Sequence, residues 1–355
     1  MTTFIENNFS VEYKLFGTKA GTDFVAIIFP DDGVLNLDIC FDLYINGEKF
    51  KTLDAENAQL RHGLRMANYF KQPFYLVVAE LSGITGFKPM GIIDRDTPLD
   101  FRLLANGYRI GQYQDASLIS TKNLAVPDDA SIDRVAGRIG DVGYFFTGSS
   151  WYSNFKKFAM DSGYPLGKSQ KILDWGCGCA RLSRYFINEE YTDIYGIDID
   201  PVNINWMRQY FGDHFQLVSA ATPTRLPDEY FDVVIGHSVF THLTENDQFK
   251  WLSELWRICS RGARLYVTIS AENGLRLTGG QGQGSLAEKM DRLAKIGYCD
   301  FGHQDVGVDV LNFGFYRLSM HTHEYIMEQW SKYFDIDFIV QSFAGHQDLV
   351  VMSKM

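Results

Sequence analysis

The stretch from Lys171 to Arg181, KILDWGCGCAR, restricts what this chain can fold into more than any other. Ile172 and Leu173 close a short apolar run, and Asp174 ends it with a carboxylate. Gly176 and Gly178 then give a turn free of side chains, after which Leu182, Tyr185 and Phe186 return at helical spacing. Strand, glycine turn, helix is the order in which backbone N–H groups at a helix start meet a ligand. A second strand, Ile194 to Ile197, runs into Asp198, about 20 residues past the glycines and placed to hold a ribose through its two hydroxyls. The pattern predicts a nucleotide-like cofactor.

Which cofactor is decided at Asp174. A dinucleotide fingerprint reads G-x-G-x-x-G, but here the third glycine position is Arg181. A carboxylate two residues before the first glycine would face a pyrophosphate with the wrong charge. It suits a cofactor with a cationic end, such as the amino acid part of S-adenosylmethionine. A lone G-x-G is often only a tight turn, whereas D-x-G-x-G followed by GIDID (Gly196 to Asp200) is specific.

On these motifs the chain resembles the class I S-adenosylmethionine-dependent methyltransferases. More narrowly it is similar to a bacterial group whose genes accompany glycan and natural-product synthesis, in which the motif reads D-x-G-C-G-x-G-R; Ala180 replaces the third glycine. The resemblance covers roughly Ile139 to Lys354 and includes SVFTHL (Ser238 to Leu243), HTHEYIMEQW (His321 to Trp330) and QDLVVMSK (Gln347 to Lys354). It implies S-adenosylmethionine held by Asp174, Gly176, Cys177, Gly178, Asp198 and Ile199, with His237 and Ser238 beside the methyl. The acidic residue that the family places after its third strand is missing among Ser219 to Thr222, so Thr222 or backbone groups stand in for it.

From Lys171 onward strands and helices alternate as in a doubly wound, Rossmann-like α/β sheet. The strands are Ile172–Asp174, Ile194–Asp198, Phe215–Val218, Phe231–Ile235 and Arg264–Ile269. Phe334–Val340 and Leu349–Met352 then form an antiparallel hairpin, which a methyltransferase sheet has and a dinucleotide domain is not expected to have. Between the fifth and sixth strands lies an insertion, Ala271 to Phe315, with a glycine-rich segment (Gly279 to Gly284) and a helix capped by Ser285. Pro127-Asp128-Asp129 is a helix start. The aromatic stretch after it, with Tyr144, Phe145, Phe146, Trp151 and Tyr152, offers a lid over a sulfonium, which is attracted to aromatic faces; Tyr144 and Phe146 are the expected contacts. The plainer reading is a helix packed on the sheet, through Phe155 and Phe158.

The first third lies outside the resemblance. Phe24 to Phe29 is apolar, Val34 to Tyr44 alternates, and Asn46-Gly47 is a hairpin signal. A β-rich domain, a sandwich or open barrel, is expected over residues 1–117. A connecting and lid segment follows over 118–170, and the methyltransferase domain over 171–355. The accessory domain has no catalytic constellation; glycan recognition, homo-oligomerisation and scaffolding all remain open for it.

Methyl transfer to a hydroxyl needs a base near neutral pH. The candidates are His321, in the YRLSMHTHEY segment near the family's substrate opening, and His242, at the start of the helix after the fourth strand. No carboxylates follow that strand, so a magnesium-dependent site is not expected, and His321 with His323 lacks a third metal ligand. A formal net charge of −11 argues against nucleic acid as a partner. No apolar run approaches a membrane span, the start lacks signal-peptide features, and five cysteines without a C-x-x-C pair fit reduced thiols. A cytoplasmic location is therefore expected. The reading is metal-independent O-methylation of a sugar or glycan-related acceptor. N- or C-methylation of another small metabolite and an inactive cofactor-binding assembly module are the alternatives.

Overall fold

A computed structural model describes the N-terminal strands as backbone and most side chains from residue 124 to 355. Residues 137–139, 190, 192, 221, 278–284, 304–315 and 345–346, with some further side chains inside helices and strands, lie outside the described residues. The chain forms two compact units: residues 1–126 with 139–150, and residues 127–138 with 151–355.

In the first unit β1 (Glu12–Gly17), β2 (Asp23–Pro30), β6 (Phe74–Glu80) and β5 (Gln59–His62) form one antiparallel sheet in the order β1-β2-β6-β5. A second has the order β4-β3-β7-β8, from β3 (Ile39–Ile45), β4 (Glu48–Leu53), β7 (Leu99–Ala105) and β8 (Tyr108–Gln114). β3 and β4 pair antiparallel with Ile45 opposite Glu48, and Asn46-Gly47, the expected hairpin turn, lie outside the described residues. Gln59 to Phe70, for which the sequence allows a helix or an irregular strand, begins as the short strand β5. Its remainder lies outside the described residues.

The second unit is built on a seven-stranded sheet. Its strands are β9 (Ile172–Trp175), β10 (Ile194–Asp198), β11 (Phe215–Leu217), β12 (Phe231–Gly236), β13 (Cys259–Ser270), β16 (Asp335–Ala344) and β17 (Gln347–Ser353), ordered β11-β10-β9-β12-β13-β17-β16. The first five are parallel; β17 runs antiparallel to β13, and β16 antiparallel to β17. All four residues of β9 are buried, Asp174 among them, as a central strand covered on both faces requires. From it the chain winds outward through β10 and β11, then returns to β12 on the other side. That reversal between β9 and β12 opens a crevice at the carboxyl ends of the strands.

Helices cover the sheet. α5 (Glu245–Ile258) starts at Thr244, whose side chain accepts from the Asp247 N–H, and buries Trp251, Leu252, Leu255 and Ile258. Fully burying each such side chain is worth about 1.5–3 kcal/mol. Trp175 links this layer to the turn, its ring 4.8 Å from Phe240 and 5.1 Å from Trp251. α2 (Gly140–Asp161) packs its later half as the plainer reading foresees, Phe155 lying 5.0 Å from Phe343 and Phe158 5.8 Å from Phe338. α1 (Asp129–Ala136) begins at the proline-aspartate signal, with the Asp128 carboxylate accepting from the Ser131 N–H at 2.8 Å. The insertion contains α6 (Glu272–Leu277), α7 (Leu286–Ile296) and a small antiparallel pair, β14 (Tyr298–His303) with β15 (Arg317–His321). Ser285 caps α7 through a full capping box with Glu288. The Gly279–Gly284 segment lies outside the described residues.

Candidate active site

A cleft of about 440 Å³ lies at the β9/β12 reversal, within the range of ligand pockets. Its floor is the glycine turn. Gly176 has φ +79°, and a Cβ there would lie 2.6 Å from Val239 Cγ2; Gly178 has φ +51°, and a Cβ would lie 2.7 Å from Val135 Cγ2. Only glycine gives both that conformation and that closeness, so bare backbone faces the cleft. Ala180, in the third glycine's place, is forced to φ 70° while fully buried, a conformation costing an L-residue about 1–2 kcal/mol.

Asp198 leaves the end of β10 with both carboxylate oxygens engaged. Oδ2 accepts from the Gly178 N–H and Oδ1 from the Asp200 N–H, each at 2.8 Å. Burial raises its pKa from the ordinary carboxylate value, and each oxygen keeps a lone pair for a ligand hydroxyl. Asp200 caps α4 (Pro201–Phe211), accepting from the Val202 N–H at 2.8 Å, and its other oxygen takes Nε–H of Arg134 at 2.9 Å. This ties α1 across the mouth, where Asp133, Arg134, Val135 and Ala136 form one wall. Asn203, 4% exposed on the same wall, has an Oδ1 with no hydrogen-bond partner. A buried acceptor left open in a ligand-sized cleft is what a hydroxyl- or amine-bearing ligand would satisfy.

Beyond β12 the chain turns through Ser238 at φ +62°. The strain is held by a polar network: the Ser238 N–H donates to Thr268 Oγ1 at 2.7 Å, Thr268 Oγ1 donates to Gln347 Oε1 at 2.6 Å, and Gln347 Nε2 donates to Ser238 Oγ at 2.8 Å. His237, also on the wall, packs against Trp151 with centroids 3.5 Å apart and the rings tilted by 37°, and the Arg181 guanidinium lies 4.0 Å from the Trp151 ring centre. His242 and Tyr316 close the far side with rings 5.1 Å apart.

His242 Nδ1 lies 3.0 Å from the Arg317 carbonyl oxygen. A carbonyl only accepts, so Nδ1 carries the proton and Nε2 keeps its lone pair. Burial lowers the ring's pKa from 6.5, opposed by that hydrogen bond. The imidazole is therefore neutral at pH 7, a base with a fixed orientation.

The expected site residues separate into groups. Gly176, Gly178, Asp198, Ile199, His237, Ser238 and His242 share the cleft. Asp174 and Cys177 are buried behind it. Asp174 accepts from Ser183 Oγ at 2.5 Å and burial pushes its pKa up to about 7; burial likewise raises the Cys177 thiol. Thr222 is absent from the wall, and Val218 and Ala220 line that side instead. His321 is fully buried outside the cleft, with Nε2 2.8 Å from Gln248 Oε1 and rings of Tyr298, Tyr325 and Trp330 within about 6 Å; burial lowers its pKa to about 3. Of the two candidate histidines, only His242 is on the cleft wall. Tyr144 is buried and is not among the described residues that line the cleft; the Phe146 side chain lies outside the described residues. Sequence reasoning missed Arg134, Asp200, Asn203 and Tyr316. Asn203 had a signal, three residues beyond the Asp200 cap of a helix following GIDID; the other placements are tertiary.

Sheet order, glycine floor and the acidic residue after the second strand make this a doubly wound, methyltransferase-like α/β sheet. Residues 173–267 match the family model "Methyltransferase domain". Among curated relatives, the probable chloroplastic tocopherol O-methyltransferase of Oryza sativa subsp. japonica is 32% identical over 114 residues, 30% of this chain and 31% of that one. The eEF1A lysine and N-terminal methyltransferase of Mus musculus is 27% identical over 135 residues, 35% of this chain and 19% of that one. The chain thus spans under a third of the length of either relative. A solved structure, the 1,6-didemethyltoxoflavin-N1-methyltransferase of Burkholderia thailandensis, is 13% identical with a TM-score of 0.40, covering 65% of this chain and 92% of that one.

The cleft fits S-adenosylmethionine on its own chemistry. Asp198 and the open Asn203 Oδ1 are acceptors for hydroxyl or amine donors, the glycine floor admits close approach, and Ile199, Val218, Ala220 and Val239 give an apolar slot for a base.

Proposed function

We propose that the protein is a metal-independent S-adenosylmethionine-dependent methyltransferase acting on an oxygen, with a sugar or glycan-related hydroxyl as acceptor. The observation that carries oxygen as the target is His242, a neutral imidazole on the cleft wall with its proton fixed on the nitrogen facing Arg317. The acceptor class rests on the motif resemblance.

S-adenosylmethionine supplies an electrophilic methyl group. Asp198 holds ribose hydroxyls, the Gly176–Gly178 backbone admits the amino acid part, and Ile199, Val218 and Ala220 flank the adenine. Asp174, hidden behind the turn, fixes the start of the helix after it through Ser183. Trp151 packs behind His237 and fixes that ring beside Ser238. His242 Nε2 would take the hydroxyl proton as the oxygen bonds to the methyl carbon and the methyl–sulfur bond breaks, its electron pair returning to sulfur to leave S-adenosylhomocysteine, and the Arg317 carbonyl would steady the imidazolium that results. Positioning by these groups supplies much of the rate.

Radiolabelled methyl transfer, measured against a panel of free sugars, sugar nucleotides and glycans, tests the reading. Turnover is expected to survive a chelator. His242→Ala is expected to lower kcat at least 100-fold, the usual worth of a general base, with S-adenosylhomocysteine affinity intact by calorimetry. Asp198→Ala is expected to weaken that affinity at least tenfold, from the loss of hydrogen bonds worth about 1.5–3 kcal/mol. A parent protein that does not bind S-adenosylhomocysteine overturns the assignment. Full turnover by His242→Ala removes the base, and with it the case for oxygen.

A further inference from the structure

The antiparallel pair β14–β15 lies inside the insertion, and the proposed transfer takes from it only the Arg317 carbonyl. Side chains alternate between the two faces of a strand, and here the two faces differ in chemistry. Cys299 and Met320, directly opposite each other, share one face and bury against Leu275 of α6 and Leu293 of α7. Tyr298 and His321, also directly opposite, share the other face with Ser319. Tyr298 is 9% exposed, and Ser319 and His321 are fully buried. Burying three polar side chains is unfavourable unless each is hydrogen-bonded.

Their hydrogen bonds converge on one short piece of chain, the 3₁₀ turn Phe240–His242 and Leu243 after it. The Leu243 carbonyl accepts from Ser319 Oγ at 2.5 Å and from the Tyr298 hydroxyl at 3.2 Å. His321 reaches the same turn through Gln248 of α5. Its Nε2 lies 2.8 Å from Gln248 Oε1, and Gln248 Nε2 donates to the Phe240 and Leu243 carbonyls, each at 3.2 Å. Three donors thus meet the carbonyl of the residue immediately after His242.

The same hairpin holds the base from its other side. His242 Nδ1 donates to the Arg317 carbonyl, and the Arg317 side chain is tied across the pair, its Nε donating to Asp300 at 2.7 Å. A bridge between Ala271 and His321 joins β15 to the end of β13 and so to the central sheet. A site is held to its working geometry when its supporting residues are themselves locked by packing and hydrogen bonds, and this hairpin is locked on both faces.

We infer that the β14–β15 hairpin is the positioning element of the reaction: Ser319, Tyr298 and, through Gln248, His321 hold the Phe240–Leu243 segment so that His242 Nδ1 meets the Arg317 carbonyl and Nε2 faces the acceptor. The inference deepens the reading of His242 as the base and rests on it. None of the three is among the described residues that line the cleft, so each acts through His242 as a positioning residue. His321 serves the site without reaching it.

Tyr298→Phe and Ser319→Ala, alone and together, test it, because each removes a single hydroxyl. Ring 15N resonances of His242, identified by their loss in His242→Ala, report the tautomer in the resting full chain. The parent is expected to show the Nδ1–H form alone, and the double variant a mixture of both forms. On the acceptor found by methyl transfer, the double variant is expected to lose about tenfold in kcat, less than the ~100-fold that a 1 Å misplacement can cost. Its acceptor KM and S-adenosylhomocysteine affinity are expected to stay at the parent values. Either single variant, read in the same way, decides the matter if the double variant does not fold. A His242 tautomer unchanged in a folded variant overturns the inference, whatever turnover does, and so does a parent that already holds both forms. Mixed tautomers with the parent's turnover would instead count against His242 as the base, and so against the proposed function.

Discussion

Two buried titratable side chains near the site pull stability in opposite directions. Asp174 has its pKa raised to about 7 by burial, against the lowering effect of the Ser183 hydrogen bond. The folded protein holds a proton there that the unfolded chain gives up above about pH 4, so the contribution is full at low pH and is lost as pH rises towards 7. His321 has its pKa lowered to about 3. The unfolded chain takes a proton below about pH 6.5 that the folded protein refuses, so its contribution is present above that pH and is lost as pH falls. Between about pH 4 and 6.5 the two slopes oppose each other. Asp174→Asn keeps the shape and removes the first. Urea melts at pH 4.5 and 7 are expected to show the variant gaining about 2–3 kcal/mol on the parent over that interval, from about 1.4 kcal/mol per pH unit. A pH-independent difference would mean that Asp174 does not carry the proton.

At the scale of elements, the cleft depends on how α1 and α4 are joined. Asp200 caps α4 and holds Arg134 of α1 with its other oxygen, in a pair whose side chains are 9% and 19% exposed. Asp200→Ala removes the cap, about 1 kcal/mol, and leaves the α1 wall without that anchor. Thermal melts are expected to show a loss of about 1–2 kcal/mol, and calorimetry a weaker S-adenosylhomocysteine affinity although Asp200 need not touch the ligand. A loss of stability with no loss of affinity would show that the α1 wall stays in place without Arg134. The strained Ser238 turn follows the same logic. β13 and β17 supply Thr268 and Gln347, side by side only because the last strand runs antiparallel to the fifth.

At the scale of the molecule, among the described residues every one lining the cleft, from Asp133 to Tyr316, lies in the second unit. A chain beginning near Leu118 is therefore expected to bind S-adenosylhomocysteine within about threefold of the full chain. It is expected to lose acceptor turnover or to change its assembly state, read by methyl transfer and light scattering. A tenfold loss of affinity in a folded shortened chain would give the N-terminal strands a part in the cofactor site. The helix α2 is the point of risk, because its first half, to Ser150, groups with those strands and its second half with the sheet.

What the sequence determined by itself was whatever depends on neighbours along the chain. The glycine turn, the Asp198 position, the cap of α7 and the strand β10 were legible because turn geometry, capping and apolar periodicity are local. The closing hairpin was legible too, from two apolar runs separated by a short connection. The tertiary structure alone decided which histidine faces the cleft. The motifs favour His321 over His242, and the difference in where they lie comes from contacts made 73 and 75 residues away, with Gln248 and Arg317 O. The same holds for Arg134 reaching Asp200 across 66 residues and for the network around Ser238. A side chain's chemistry is set by burial and by the partner it meets, and both are fixed only when distant strands and helices close on one another.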